Sequence, residues 1–100
     1  METLQHTLKA VVIGYTGLGL NAESVLATSD DGRLLTVVSI GRMRGETVVD
    51  TSLIVRMIGE IIVIDRDNNS KPLVEALLQA GVSREQIVLA YAGESIPHAA

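Results

Sequence analysis

Four stretches of this chain are apolar on consecutive residues instead of alternating ones: Val37-Val38, Leu53-Ile54-Val55, Ile61 to Ile64, and Ile87 to Leu89. Successive side chains of a strand point to opposite faces, so strands apolar at every step belong in a sheet covered on both sides. The composition supplies such strands. Hydrophobic residues make up 47% of the chain, yet the only aromatics are two tyrosines, so the core rests mainly on Val, Ile, Leu and Ala, residues that suit a pleated surface.

The rest of the chain places these runs in order. Leu4, Leu8, Val11, Val12 and Tyr15 recur at helical spacing, which predicts an amphipathic helix from Thr3 to about Gly14, with Thr3 as N-cap and Gly17 and Gly19 ending it. Ser24 to Ser29 and Leu34 to Ile40 flank Asp30-Asp31-Gly32, where an Asp-Gly pair tolerates the positive φ of a hairpin turn. Arg44-Gly45 and Ile58-Gly59-Glu60 punctuate two further runs, Thr47 to Met57 and Ile61 to Asp65. The simplest path through these is an antiparallel meander of four strands.

A second helix is expected from Ser70 to Ala80, capped by Ser70, with Pro72 in its first turn and Gly81 as the left-handed C-terminal cap. Leu73, Val74, Leu77 and Leu78 form its apolar stripe. Ser83 and Gln86 have capping-box spacing and lead into a final strand, Ile87 to Tyr91. Roughly twenty residues separate the two late strands, enough for a parallel crossover. The fold class is therefore α+β: an N-terminal helix, a four-stranded antiparallel meander, a helix and a final strand, in a single domain spanning 1–100. Two helices cover only one face of such a sheet well. A second copy of the chain, related by a two-fold axis, is the expected cover for the other, so the chain is read as a homodimer.

Net charge is −4 and the isoelectric point is near 5.0, against the basic surplus usual in proteins that grip phosphates. Direct binding to nucleic acid is disfavoured on that ground. The longest uncharged run, Ala10 to Ala22, is too short to span a bilayer as a helix and is broken by glycines. With no cysteine in the sequence and an N-terminus lacking the pattern of a secretory signal, the expected compartment is the cytoplasm.

Several motifs approach a chemistry without completing it. Gly14-Tyr-Thr-Gly17-Leu-Gly19 has glycines like a phosphate loop, but Leu20 and Asn21 replace the residues that would bind phosphate and magnesium, and a helix precedes it. It reads as a helix-ending loop. Asp65, Asp67 and Asn69 match the opening of a calcium loop whose glycine and closing glutamate are missing. Asp65 and Asp67 are expected on one side of a strand end, where a carboxylate pair could hold magnesium for phosphodiester cleavage if Lys71 and Glu60 converged on it. Arg66 between them reads as a partner in a charged pair. His6 and His98 lack a second metal ligand at suitable spacing, and the serines lack a nucleophile-elbow context. Arg42 and Arg44 flank a turn, either as contacts to phosphate or an acidic partner or as charges that keep a strand end soluble. No catalytic residue, metal site or cofactor is read from the sequence.

The passage Ile61-Ile-Val-Ile-Asp-Arg66-Asp67, a polar loop, and Ala80-Gly81-Val82 to Ile87-Val88-Leu89 resembles the XisI family, the fdxN element excision controlling factors. The likeness is clearest from Ile61 to Tyr91. It departs from the family at Val63, where a tryptophan is usual, at Asn68 to Ser70, and in the tail Ala92 to Ala100. The resemblance implies a small α+β protein that acts as an accessory or controlling factor in programmed excision of a DNA element, often beside a XisH-like, nuclease-like protein. Arg66, Asp67, Arg42 and Arg44 are the expected partner-binding residues, and association with DNA would be indirect. Two other readings are a metal-dependent phosphodiesterase using Asp65 and Asp67, and a direct DNA-binding accessory using Arg42, Arg44, Arg56 and Arg66.

Overall fold

The computed structural model describes residues 3–97, which form two helices and a six-stranded mixed sheet. Helix α1 (Leu4–Ile13) starts as its sequence predicts, with Thr3 as N-cap and its Oγ1 accepting the His6 N–H at 3.1 Å. A cap of this kind contributes about 1 kcal/mol. The strands are β1 (Gly17–Leu18), β2 (Ala22–Thr28), β3 (Leu34–Met43), β4 (Glu46–Ile58), β5 (Ile61–Asp67) and β6 (Ile87–Leu89). They lie in chain order, every neighbouring pair antiparallel except β5 and β6, which are parallel.

The expected meander is present as β2 to β5, and two strands flank it. Gly17 and Leu18, expected in a helix-ending loop, pair with Ser24 and Glu23 as the edge strand β1. The last strand stops at Leu89, because Ala90–Ala92 tighten into a 3-10 turn that ends at Gly93 in the left-handed region. Between β2 and β3, the Asp31 carboxylate accepts from the Ser29 hydroxyl at 2.7 Å and the Arg33 N–H at 3.0 Å, while Gly32 takes φ +72°. The expected hairpin thus closes by a side-chain-bridged loop.

Helix α2 (Leu73–Gln79) is shorter than expected. Ser70 does not cap it. Pro72 occupies the N-cap position without a side-chain bond, and the Asp67 carboxylate reaches over to accept the Leu73 N–H at 2.6 Å. Gly81, at φ +94°, follows as the predicted left-handed residue. The Ser83 and Gln86 capping box forms and opens a 3-10 turn over Arg84–Gln86.

One face of the sheet carries the core. Leu35, Val55 and Ile64 are in register across β3, β4 and β5, as are Met57, Ile62 and Ile87 across β4, β5 and β6. Leu8 and Val12 of α1 and Leu73 and Leu77 of α2 pack on them, all fully buried. Both helices therefore lie on this face. The other face carries Val25, Val38, Ile40, Val49 and Ile54, none of them in the buried core cluster. Val63 is fully buried there, across from Arg56 and Val88.

Candidate functional site

Strand β4 has thirteen residues and β5 only seven. Pairing between them covers Leu53–Ile58, so Glu46–Thr51 pairs with β3 alone. Strands β3 and β4 run past β5 as a ribbon that closes at Arg44-Gly45, with φ +54° and +81°, as a two-residue turn of the hand that suits strand twist. Apolar side chains stand in water here and on the neighbouring β1 segment: Leu18 is 86% exposed, Leu20 92%, Met43 65% and Val49 62%. Leu20, Ala22, Gly41, Met43 and Val48 line a hollow of 440 Å³ on the helix side. Leu20, Met43 and Val48 stand together at this hollow, whereas Val49 lies on the helix-free face with Ile40; grouped apolar exposure is commoner at contact surfaces than singly scattered residues.

The four residues expected to meet a partner separate into three places. Arg42 and Arg44 come together at the ribbon's tip, where the Arg42 guanidinium donates to the Gly45 carbonyl at 3.4 Å. Arg66 lies at its base, donating from Nε to the Thr51 carbonyl at 2.7 Å and standing 3.5 Å from the Asp50 carboxylate. Asp67 is turned toward the helices. Its Oδ1 accepts the Asn69 N–H at 3.1 Å and the Asn69 side-chain amide at 2.8 Å, and its Oδ2 holds Leu73.

Asp65 and Asp67 do not share a face, contrary to expectation. The register of β4 on β5 slips between Ile54 and Val55, so that Val55 pairs with Ile64, Ile54 with Arg66 and Leu53 with Asp67. Asp65 is the extra residue of this bulge, and an extra residue reverses the alternation of everything after it. Asp65 consequently takes both Nε (2.8 Å) and Nη2 (3.3 Å) of Arg56 on the helix-free face, while Asp67 goes to the core side with Leu53. In Asn69 the amide group turned to Asp67 is a donor, the reverse of what a shared cation would need. Among the described residues, no group of three or more His, Asp or Glu side chains is placed to hold a metal ion.

Tyr15 closes the seam between the helices, its hydroxyl donating to the Lys71 carbonyl at 3.0 Å. Burial, and then the negative charges of Asp67 and Glu75, push its phenol above the usual value. His6 is exposed on α1, and His98 lies outside the described residues. Among the described residues, no helix is long and apolar enough to cross a membrane.

Sequence reasoning missed Val48, Val49, Asp50 and the hollow beside them. The available signal was length. An apolar run from Thr47 to Met57 is too long to be matched by Ile61 to Asp65, so part of it had to lack a partner on that side.

Two helices on one face of a mixed sheet in chain order define a small α+β protein. The chain belongs to the XisI family: the family model described as XisI protein matches residues 1–99. Its fold is similar to the crystal structure of the fdxN element excision controlling factor XisI from Anabaena variabilis ATCC 29413, with TM-score 0.67, 19% identity, and coverage of 87% of this chain and 88% of that one. A XisI-like protein from the same organism matches with TM-score 0.67 and 16% identity over 86% of this chain and 81% of that one. No curated protein matches the chain significantly.

Proposed function

We propose that this protein is a non-enzymatic controlling subunit in excision of a DNA element, working as a homodimer that binds a nuclease-like, XisH-like partner. The observation that carries this reading is the ribbon and its surroundings, where Leu18, Leu20, Met43 and Val49 are exposed beside Arg42 and Arg44. Family membership and the printed name of the Anabaena protein as an excision controlling factor supply the process. The carboxylates that would serve a phosphodiesterase have structural partners in this fold, Asp65 with Arg56 and Asp67 with the start of α2. Net charge of −4 favours a protein partner over bare DNA.

The test is recovery of the tagged protein from its own host at moderate salt, with mass spectrometry of whatever accompanies it. A nuclease-like protein in stoichiometric amount is the expected result. Its absence, together with metal-dependent cleavage that Asp67→Ala abolishes, would replace this reading with an enzymatic one.

A further inference from the structure

The open side of β4 has a defined hydrogen-bonding pattern. Met43 and Glu46 close the two-residue turn, so Arg42 and Thr47 form the next pair, the kind that exchanges no bonds across β3 and β4. The Arg42 N–H accordingly points the other way, to the Asn21 carbonyl at 3.0 Å. By the same alternation the N–H and C=O groups of Thr47, Val49 and Thr51 point outward. The Arg66 guanidinium on the Thr51 carbonyl marks that direction. The edge ends one residue later, where the Ser52 carbonyl accepts the Asn68 N–H at 2.9 Å.

We propose that two copies of the chain pair antiparallel along this edge, about a two-fold axis at Thr47, joining their sheets into one. This rests on the homodimer reading above and moves the contact from the middle of the helix-free face to the ribbon. Three arguments select a second copy and this register. Charges along the ribbon are ordered, with Arg42 and Arg44 at the tip and the exposed Asp50, which also stands 3.5 Å from its own chain's Arg66, toward the base, so antiparallel apposition sets each tip beside the other's acid, twice per dimer. Centring on Val48 instead would place Glu46 opposite Asp50, like charges in direct register. Centring on Val49 would drive Glu46 of one copy onto Ser52 of the other, a position Asn68 already fills. At Thr47 the two copies exchange both backbone bonds, Val49 lies over the partner's Gly45, and the pairing stops short of Asn68. The two apolar hollows then lie on the same side of the joined sheet.

The chain contains no cysteine, so single cysteines report the contact directly. Directly opposed strand residues have Cα atoms about 4.5 to 5.5 Å apart, within disulfide reach. Sedimentation of the intact protein comes first. Then Thr47→Cys, Ile54→Cys and Glu85→Cys are oxidised under identical conditions, with Ile54 reporting face-to-face packing and Glu85 reporting random collision. The expected result is a dimer in which Thr47→Cys cross-links about tenfold faster or more than the other two, because its partner thiol is held in place. Asp50→Arg should return the dimer to monomer, and the pair Arg44→Asp with Asp50→Arg should restore it. A dimer that cross-links through Ile54→Cys and not Thr47→Cys overturns the interface while keeping the homodimer. A monomer at all concentrations overturns both.

Discussion

Asp67 shows how one side chain decides whether a neighbouring element forms. Helix α2 has no side-chain cap of its own at Pro72, and its first orphan amides lie close to the core. The Asp67 carboxylate satisfies Leu73 and organises Asn69, whose amide also donates to the Ser52 carbonyl at 3.3 Å. It ties the end of β5 to the start of α2 through the loop. Asp67→Ala should therefore cost about 0.5 to 2 kcal/mol of stability, the range for a lost cap, and urea unfolding would measure it. Asp67→Asn, which keeps one acceptor oxygen, should lose less. If both variants unfold at the wild-type midpoint, Asp67 has no structural role, and its place beside Arg66 would have to be explained by partner contact alone.

Edges distinguish the elements of this sheet from one another. The outer edge of β6 is closed by a side chain: the Glu94 carboxylate accepts the Leu89 N–H at 2.8 Å and the Arg84 guanidinium at 2.8 Å. The Leu89 hydrogen bond first, and then Arg84, hold its carboxyl below the usual value. A carboxyl lowered in the folded state binds fewer protons there than in the unfolded chain, so this closure is complete above the ordinary glutamate range and is lost as pH falls through the folded value. Glu94→Gln should flatten that part of the acid limb of the stability curve, as measured by unfolding at a series of pH values. An unchanged limb would show that the contact does not persist in solution. Among the described residues, strand β4 lacks such a closure over most of its overhang.

Elements were legible where local chemistry alone decides them. Thr3, Gly81 and the Ser83 and Gln86 pair act through bonds to residues three or four positions away, and each does what its spacing predicts. Ser70 failed because a more distant acid, Asp67, competes for the same helix start and wins by position. The bulge at Asp65 could not be read at all, since nothing in Ile61 to Asp67 announces an extra residue in the pairing of β4 with β5. With it went the expectation that two carboxylates share a face. The consecutive apolar runs correctly announced buried strands, but the helices cover one side only.

At the scale of the whole molecule, the sheet order is the chain order. Each antiparallel neighbour is reached by a short connection, and only β6 must wait for α2 to be laid across the core before it can join β5. Loop-closure entropy rises with the length of chain to be closed, so the hairpins β2–β3, β3–β4 and β4–β5 can assemble by zipping outward from any of the three turns, and the parallel strand is expected to dock last. Ile87→Val should then raise the unfolding rate and leave the folding rate nearly unchanged, whereas Leu53→Ala should slow folding; a denaturant chevron separates the two. Because the last strand to dock is also the one that Glu94 fastens, a chain caught before that step would already present the ribbon while β5 still had an open side. Under the proposed pairing, assembly at the ribbon would not have to await completion of the fold.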